Sequence, residues 1–129
     1  MMNLRTGVDL VEINRLAELK PEIRLRFLQR VFTANERSQC ADRDASLMGY
    51  FAVKEAVAKA LGTGIGPVSW QEIEVHKGSQ GEPLLVLHGK AQQYAARLGL
   101  DQWSISISHS RSQVVALAVA VGSQTVQAS

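Results

Sequence analysis

The chain has 129 residues, of which 46% are hydrophobic and 20% charged, and its formal net charge at pH 7 is +2. This length suits one domain with one core, and so small a charge does not by itself indicate a nucleic-acid-binding protein. With no apolar run of about 18 residues and no apolar signal segment at the N-terminus, we expect neither a membrane span nor secretion. The lone Cys40 cannot form an internal disulfide, which favours a reducing compartment and predicts a cytoplasmic protein.

The first predicted element is a β-strand over Leu4–Val11. Its alternation places Val8 and Leu10 on one face and Asp9 on the other. Asp9 should therefore project away from the hydrophobic face of the strand.

Short helices follow at Ile23–Leu28 and Asn35–Cys40, separated from the strand by Pro21. Thr33 lies three residues before Glu36, which is the spacing of a capping box and marks a helix start. The segment around the first helix is basic, and its five cations against two acids could meet an acidic partner or form a solvated helix face. The cations are Arg15, Lys20, Arg24, Arg26 and Arg30.

The longest predicted helix spans Ser46–Leu61 and ends at Gly62. It is apolar almost all round, which is typical of a helix buried in a fold or an oligomer. Lys54, Glu55 and Lys59 interrupt the apolar run, and Glu55 and Lys59 share one face at i, i+4 spacing. An ordinary surface ion pair is one interpretation, but the apolar surroundings favour a functional role.

The second half of the chain reads as a hairpin, a helix and two final strands. The alternating serines and apolar residues before His109 predict a half-buried strand, and the wholly apolar last strand predicts a central one covered on both sides. The predicted ranges are Val68–His76, Leu84–Leu87, Ala91–Leu98, Trp103–His109 and Val114–Val121. These elements predict a single α+β domain over residues 1–121, with the long helix packed on a mainly antiparallel sheet and a frayed tail over residues 122–129.

Asp9, Glu55, the two lysines and the glycine loop Gly62–Gly64 suit one chemistry, the binding of a diphosphate with magnesium. Magnesium prefers oxygen ligands and commonly takes one or two carboxylates together with phosphate oxygens and water. Lysine neutralises phosphate, and the backbone N–H groups of Gly62, Thr63 and Gly64 can approach it closely. A serine nucleophile beside His109 is excluded, because no strand-turn-helix elbow surrounds a serine. His109 alone could equally bond a neighbouring carbonyl.

Four segments, in this order, resemble the small bacterial holo-acyl-carrier-protein synthases of the 4′-phosphopantetheinyl transferase superfamily. They are Gly7–Arg15, Arg30–Glu36, Phe51–Gly64 with its Phe-Ala-x-Lys-Glu-Ala-x-x-Lys-Ala pattern, and Ser104–His109. The resemblance implies transfer of 4′-phosphopantetheine from coenzyme A to a serine of acyl carrier protein in fatty acid biosynthesis, with adenosine 3′,5′-bisphosphate as the other product.

The resemblance also implies roles for particular residues. Asp9 and Glu55 match the magnesium-binding acids, Lys59 the lysine beside the phosphates, and His109 a contact to the nucleotide of coenzyme A. Lys54 and the glycine loop are further candidate cofactor contacts. Glu55, directly or through a metal-bound water, is the candidate base for the carrier serine.

The family further implies a homotrimer with sites shared between subunits, and a carrier-binding surface that would include Arg15, Arg24, Arg26 and Arg30. The chain departs from the family at Tyr50, where many relatives carry arginine. Lys54, Arg43 or an arginine of a neighbouring subunit are the candidates to replace it. The segment between Arg37 and Met48 also looks shorter than in many members of the family.

Two other functions remain as alternatives. One is a non-catalytic relative that binds coenzyme A or carrier protein, although retention of both acids and Lys59 argues for chemistry. The other is a basic oligomer on nucleic acid, which the scarcity of aromatic residues disfavours.

Overall fold

The computed structural model describes residues 2–123. Within that range the chain forms one α+β domain with five strands, four α-helices and two short 3₁₀ turns, at Ile13–Arg15 and Trp70–Glu72. The strands and helices are β1 (Met2–Glu12), α1 (Pro21–Val31), α2 (Ala34–Cys40), α3 (Asp44–Leu61), β2 (Ile73–Lys77), β3 (Pro83–Leu87), α4 (Gly89–Arg97), β4 (Gln102–His109) and β5 (Gln113–Ser123).

The main sheet is antiparallel and has the strand order β1-β5-β4. β1 and β5 pair along their whole length, and Asp9 lies opposite Ala116. β2 and β3 form a separate hairpin. The prediction of a long helix on a mainly antiparallel sheet is therefore confirmed, as is the central position of the last strand.

Helix α3 packs unusually close to the main sheet because both surfaces carry small side chains. Ala52 and Ala56 of the helix and Ala116 and Ala118 of β5 have no exposed surface. A Cβ atom added to Gly7 of β1 would lie only 1.9 Å from the carbonyl oxygen of Ala56, so the strand backbone touches the helix backbone. This contact brings the residues that follow Gly7 against the side of α3.

The other face of the main sheet is apolar and exposed. Leu4, Val8 and Leu10 of β1 are 62%, 54% and 60% exposed, and Leu117 of β5 is exposed as well. Asp9 does lie opposite Val8 and Leu10 on its strand, as predicted, but the apolar face points outward and Asp9 points toward α3. The expectation that the last strand is covered on both sides is wrong within a single chain, where only its α3 side is covered.

Most predicted boundaries shift by a few residues, and three of the shifts have local reasons. Helix α1 begins at Pro21, because proline is well tolerated in the first turn. Strand β2 begins only at Ile73, because Ser69 and Glu72 close a 3₁₀ turn in which the Ser69 amide donates to Glu72 at 2.9 Å. Strand β5 continues to Ser123, which pairs with Met2, and residues 124–129 of the expected tail lie outside the described residues.

No helix within residues 2–123 is both long enough and apolar enough to cross a membrane.

Candidate active site

Three of the residues singled out by sequence meet where β1 crosses α3. The Lys59 ammonium donates to Asp9 Oδ1 at 3.1 Å and to the Val8 carbonyl oxygen at 2.9 Å. Asp9 is largely covered, with 15% of its side chain exposed, whereas Lys59 is 52% exposed. Glu55 lies one helical turn before Lys59 on the same face of α3. The site is thus an acid on a strand facing an acid and a cation on a helix.

Glu55 carries the strongest electrostatic signature of this site. Burial raises the pKa of its carboxyl, and the nearby charge of Asp9 raises it further, while Lys59 and Arg15 act in the opposite direction. The two acids therefore repel each other across a partly dry site, and Lys59 and Arg15 offset their charges. The influence of Arg15 on this site was not foreseen from sequence, although its position just after the end of β1 was a signal.

Lys54 does not belong to this site, so its prediction as a cofactor contact is wrong. Its ammonium is fully buried and donates to Glu36 at 2.9 Å and to the carbonyl oxygens of Trp70 and Ile73 at 3.0 and 2.6 Å. Burial lowers the pKa of Lys54, and Glu36 counteracts that effect. All three hydrogen-bond donors are used inside the fold, so none is free for a ligand.

Glu36 has a second role beyond the helix cap that its spacing from Thr33 predicts. The capping box with Thr33 is present, with bonds of 2.9 and 3.1 Å. The Glu36 carboxylate also accepts from the Val75 amide at 2.8 Å and pairs with Lys54. One buried carboxylate therefore ties α2, α3 and β2 together.

The glycine loop after α3 does not offer its N–H groups to a phosphate, contrary to expectation. The amides of Gly62, Thr63 and Gly64 all donate to carbonyl oxygens of the last turn of α3, at 3.0 to 3.2 Å. Gly62 adopts the left-handed conformation with φ of 79°. A helix C-terminus presents unpaired carbonyls, and this loop satisfies them as a C-cap.

His109 lies away from Asp9 and Glu55, at the edge of a cavity of about 280 Å³ between the start of α3 and the β2–β3 hairpin. Its Nε2 is 3.1 Å from the Ala45 carbonyl oxygen. The cavity is also lined by Lys77 at the end of β2, Gly81 of the hairpin turn and Pro83 at the start of β3. Lys77 was missed from sequence, because nothing local shows that the hairpin folds over α3.

Tyr50 borders the same cavity, but its hydroxyl is turned inward. It donates to Gln39 Oε1 at 3.1 Å, and burial, reinforced by Cys40 and Glu36, raises the pKa of Tyr50 to about 12. Tyr50 therefore supplies a neutral wall. Of the candidates to replace an arginine here, Lys54 is excluded by its own partners.

The four arginines predicted to bind a carrier do not form one group. Arg24 pairs with Asp44 at 2.9 Å. Arg26 and Arg30 line an open groove of about 640 Å³ together with Ile23 and Phe27 of α1. Arg15 is separate, in a small apolar pocket beside Phe51. Exposed Ile23 and Leu25 make the α1 surface both basic and apolar.

Most of the chain is similar in sequence to one family of known proteins. A family model described as the 4′-phosphopantetheinyl transferase superfamily matches residues 5–118. The holo-[acyl-carrier-protein] synthase of Herpetosiphon aurantiacus is 47% identical over 126 residues, covering 92% of this chain and 99% of the relative. The synthase of the same name from Moorella thermoacetica is 43% identical over 119 residues, covering 90% of this chain and 92% of the relative.

Solved structures agree with the sequence relatives. The Helicobacter pylori holo-[acyl-carrier-protein] synthase, solved in complex with coenzyme A, superposes with a TM-score of 0.80 at 32% identity, covering 89% of this chain and 98% of that one. The Bacillus anthracis protein of the same name, in complex with coenzyme A (3′,5′-ADP), gives a TM-score of 0.76 at 32% identity, covering 95% and 100%.

Proposed function

Because this chain belongs to the 4′-phosphopantetheinyl transferase superfamily, and within it to the holo-[acyl-carrier-protein] synthases, we propose that it transfers 4′-phosphopantetheine from coenzyme A to a serine hydroxyl of apo acyl carrier protein. The other product is adenosine 3′,5′-bisphosphate. The observation that carries the proposal is the meeting of Asp9, Glu55 and Lys59 at the crossing of β1 and α3.

Asp9 and Glu55 fit a magnesium ion as its protein ligands. Both are carboxylates, which suit this ion, and burial together with the charge of Asp9 raises the pKa of Glu55. Residues 2–123 contain no cluster of three or more His, Cys, Asp or Glu side chains that could hold a metal. The rest of the coordination shell would therefore come from phosphate oxygens and water, as is common for magnesium.

When bound, magnesium supplies positive charge that stabilises the developing negative charge on the leaving bisphosphate. Lys59, half exposed beside Asp9, neutralises the same phosphates or delivers a proton to the leaving oxygen. Glu55, which faces the same place from α3, is assigned to take the proton of the carrier serine, directly or through a water molecule.

The nucleotide end of coenzyme A is assigned to the cavity beside His109. His109 and Lys77 are its basic side chains, and the glycine and proline of the hairpin turn leave room for a flat base. In this proposal Lys77 provides the positive charge that Tyr50 cannot. Lys54 and the Gly62–Gly64 loop take no part, since their donors are used within the fold.

Acyl carrier protein, which is acidic, is assigned to the surface of α1. Arg26 and Arg30 offer charge, and exposed Ile23 and Leu25 offer apolar contact next to the groove. Arg15, close to Glu55, would then meet the carrier near its reacting serine. Arg24 contributes less directly, because Asp44 already neutralises it.

A homotrimer is proposed from the exposed apolar face of the main sheet. Leu4, Val8, Leu10 and Leu117 form one continuous outward surface, because Val8 lies opposite Leu117 and Leu10 opposite Val115. A soluble monomer rarely exposes such a patch without using it for association. Copies of this chain packed sheet to sheet would cover it and would bring sites from neighbouring subunits together.

The direct test is incubation of apo acyl carrier protein with coenzyme A and magnesium, followed by mass spectrometry of the intact carrier. The carrier should gain the mass of phosphopantetheine, and a panel of fatty-acid and polyketide carriers would show which is preferred. Asp9→Asn and Glu55→Gln serve as matched controls, since each removes a charge with almost no change of shape. An unmodified carrier across the whole panel contradicts the proposal and leaves a non-catalytic binding function.

A further inference from the structure

The Lys59 ammonium is bound to the carboxylate that would also hold the metal ion. It lies 3.1 Å from Asp9 Oδ1, and its second bond, to the Val8 carbonyl oxygen, holds it against the strand. Asp9 has only 15% of its side chain exposed, so water alone satisfies it poorly. Lys59 thus serves as the cation of this carboxylate when no other is bound.

The formal charges of the site balance in this arrangement. Asp9 and Glu55 contribute two negative charges, and Lys59 and Arg15, whose charges act on Glu55, contribute two positive ones. A divalent cation added to this arrangement leaves an excess of two positive charges in a partly buried place. A diphosphate carries the negative charge that compensates them, so metal and diphosphate should favour each other's binding.

We propose that Lys59 is a placeholder that holds Asp9 in the free protein and gives it up to the metal ion only when a diphosphate draws the ammonium away. This inference rests on the proposed function, since it takes the diphosphate of coenzyme A as the group that moves Lys59. In this role Lys59 acts before the reaction, because it keeps the metal ion from binding Asp9 until the diphosphate is bound. The side chain can make this move because it is half exposed and reaches Asp9 with a flexible stem.

The placeholder has a measurable consequence for the protein without coenzyme A. In wild type the metal must compete with an ammonium for Asp9, whereas in Lys59→Met it does not. Binding of Mn²⁺, whose preference for carboxylate oxygen resembles that of magnesium, can be followed by electron paramagnetic resonance or calorimetry. Lys59→Met should bind Mn²⁺ more tightly than wild type by a factor in the range of about 5 to 150 that is typical of coupled sites.

Arg15→Met is the matched control, because it removes an equal charge from the same neighbourhood without vacating Asp9. Its effect on Mn²⁺ affinity should be clearly smaller than that of Lys59→Met. Adding Asp9→Asn to Lys59→Met should abolish the gain. If Lys59→Met misfolds by circular dichroism, Lys59→Gln replaces it, since it keeps a polar end at an exposed position.

Equal Mn²⁺ affinity in wild type and Lys59→Met, or an equal gain in Arg15→Met, overturns the placeholder. Neither result touches the transferase proposal, which is judged by the mass of the carrier with wild-type protein. Conversely, an unmodified carrier together with a selective gain in Lys59→Met refutes the transferase and keeps the competition at Asp9.

Discussion

Lys54 and Glu36 form an ion pair of 2.9 Å in which neither side chain has any surface exposed to solvent. The two residues lie on α3 and α2, and each also bonds the backbone around β2. Three elements behind the active site are therefore joined by one pair of charges. Although Lys54 is next to Glu55 in sequence, it takes no direct part in the chemistry.

Replacement of Lys54 should lower the stability of the fold, because its role is structural and not catalytic. Lys54→Met leaves the Glu36 carboxylate buried without its counter-ion, and breaking a buried pair in this way costs about 3–5 kcal/mol of unfolding free energy. Urea unfolding measures the loss. The double variant Lys54→Met with Glu36→Gln should recover part of it, because no uncompensated charge remains. If Lys54→Met is instead fully stable and no longer binds coenzyme A, Lys54 contacts the ligand after all.

Gly7→Ala should disturb both stability and activity, because the added methyl group meets a backbone atom that cannot rotate away. The new Cβ would lie 1.9 Å from the Ala56 carbonyl oxygen, so β1 and α3 must separate. Overpacking of this kind costs about 1–3 kcal/mol or more, and the separation moves Asp9 away from Lys59.

Gly99→Ala is a suitable control for this substitution. It also replaces a glycine, at φ of 74°, but no atom lies within 4 Å of the added carbon. It should therefore cost only the backbone strain of about 1 kcal/mol and leave turnover intact. Turnover by Gly7→Ala equal to that of Gly99→Ala would show that the contact between strand and helix does not set the position of Asp9.

Glu74 should make the stability of the β2–β3 hairpin depend on acidity. Burial would raise its pKa, but hydrogen bonds from Thr33 and His88, together with the nearby His76 ring, lower the pKa of Glu74 to about 2. The unfolded chain has a pKa near 4.3 for glutamate, about two units higher. The ionised Glu74 side chain thus contributes up to about 3 kcal/mol to the free energy of unfolding. This contribution is complete at pH values above the unfolded-state pKa, and it is lost as the pH falls through 4 toward 2.

The comparison of wild type with Glu74→Gln isolates this effect. Unfolding free energies of both proteins measured between pH 6 and 3 should converge as the pH falls, because protonation removes the advantage of the carboxylate. A constant difference over this range would mean that Glu74 does not titrate with a depressed pKa.

The exposed face of the main sheet should control the oligomeric state. Leu10→Glu places a charge within the apolar surface and should convert the proposed trimer to monomer, as measured by light scattering after gel filtration. Leu84→Glu is the matched control, because Leu84 is 47% exposed but lies on the β2–β3 hairpin. It should leave the trimer intact. A trimeric Leu10→Glu protein would place the interface elsewhere.

Periodicity and capping signals were enough to predict much of this fold. The alternation before His109, the apolar last strand and the glycine after α3 each depend on neighbours within a few residues, and all three features are present. Alternation alone could not tell which face of β1 is buried. That choice follows from Gly7, whose missing side chain admits the helix.

The candidate site was predictable only in part, because partners distant in sequence decide the role of a charged residue. Asp9 and Lys59 are 50 residues apart and do meet. The sequence predicts the same ligand-binding role for Lys54 and Lys59. In the structure, however, the Lys54 ammonium donates all its hydrogen bonds to Glu36 and two carbonyl oxygens. The backbone N–H groups of the glycine loop likewise donate to carbonyl oxygens at the end of α3.

Helix α3 is enclosed on nearly every side, with the small residues of the sheet on one flank and the Lys54–Glu36 pair on another. An element packed in this way exchanges its amide hydrogens only when the whole domain opens, so its amides should be among the slowest in the protein. Glu55 and Lys59 lie at its open edge and can move by rotamer changes within nanoseconds. The turnover cycle can therefore run on side-chain rotation while the helix stays still.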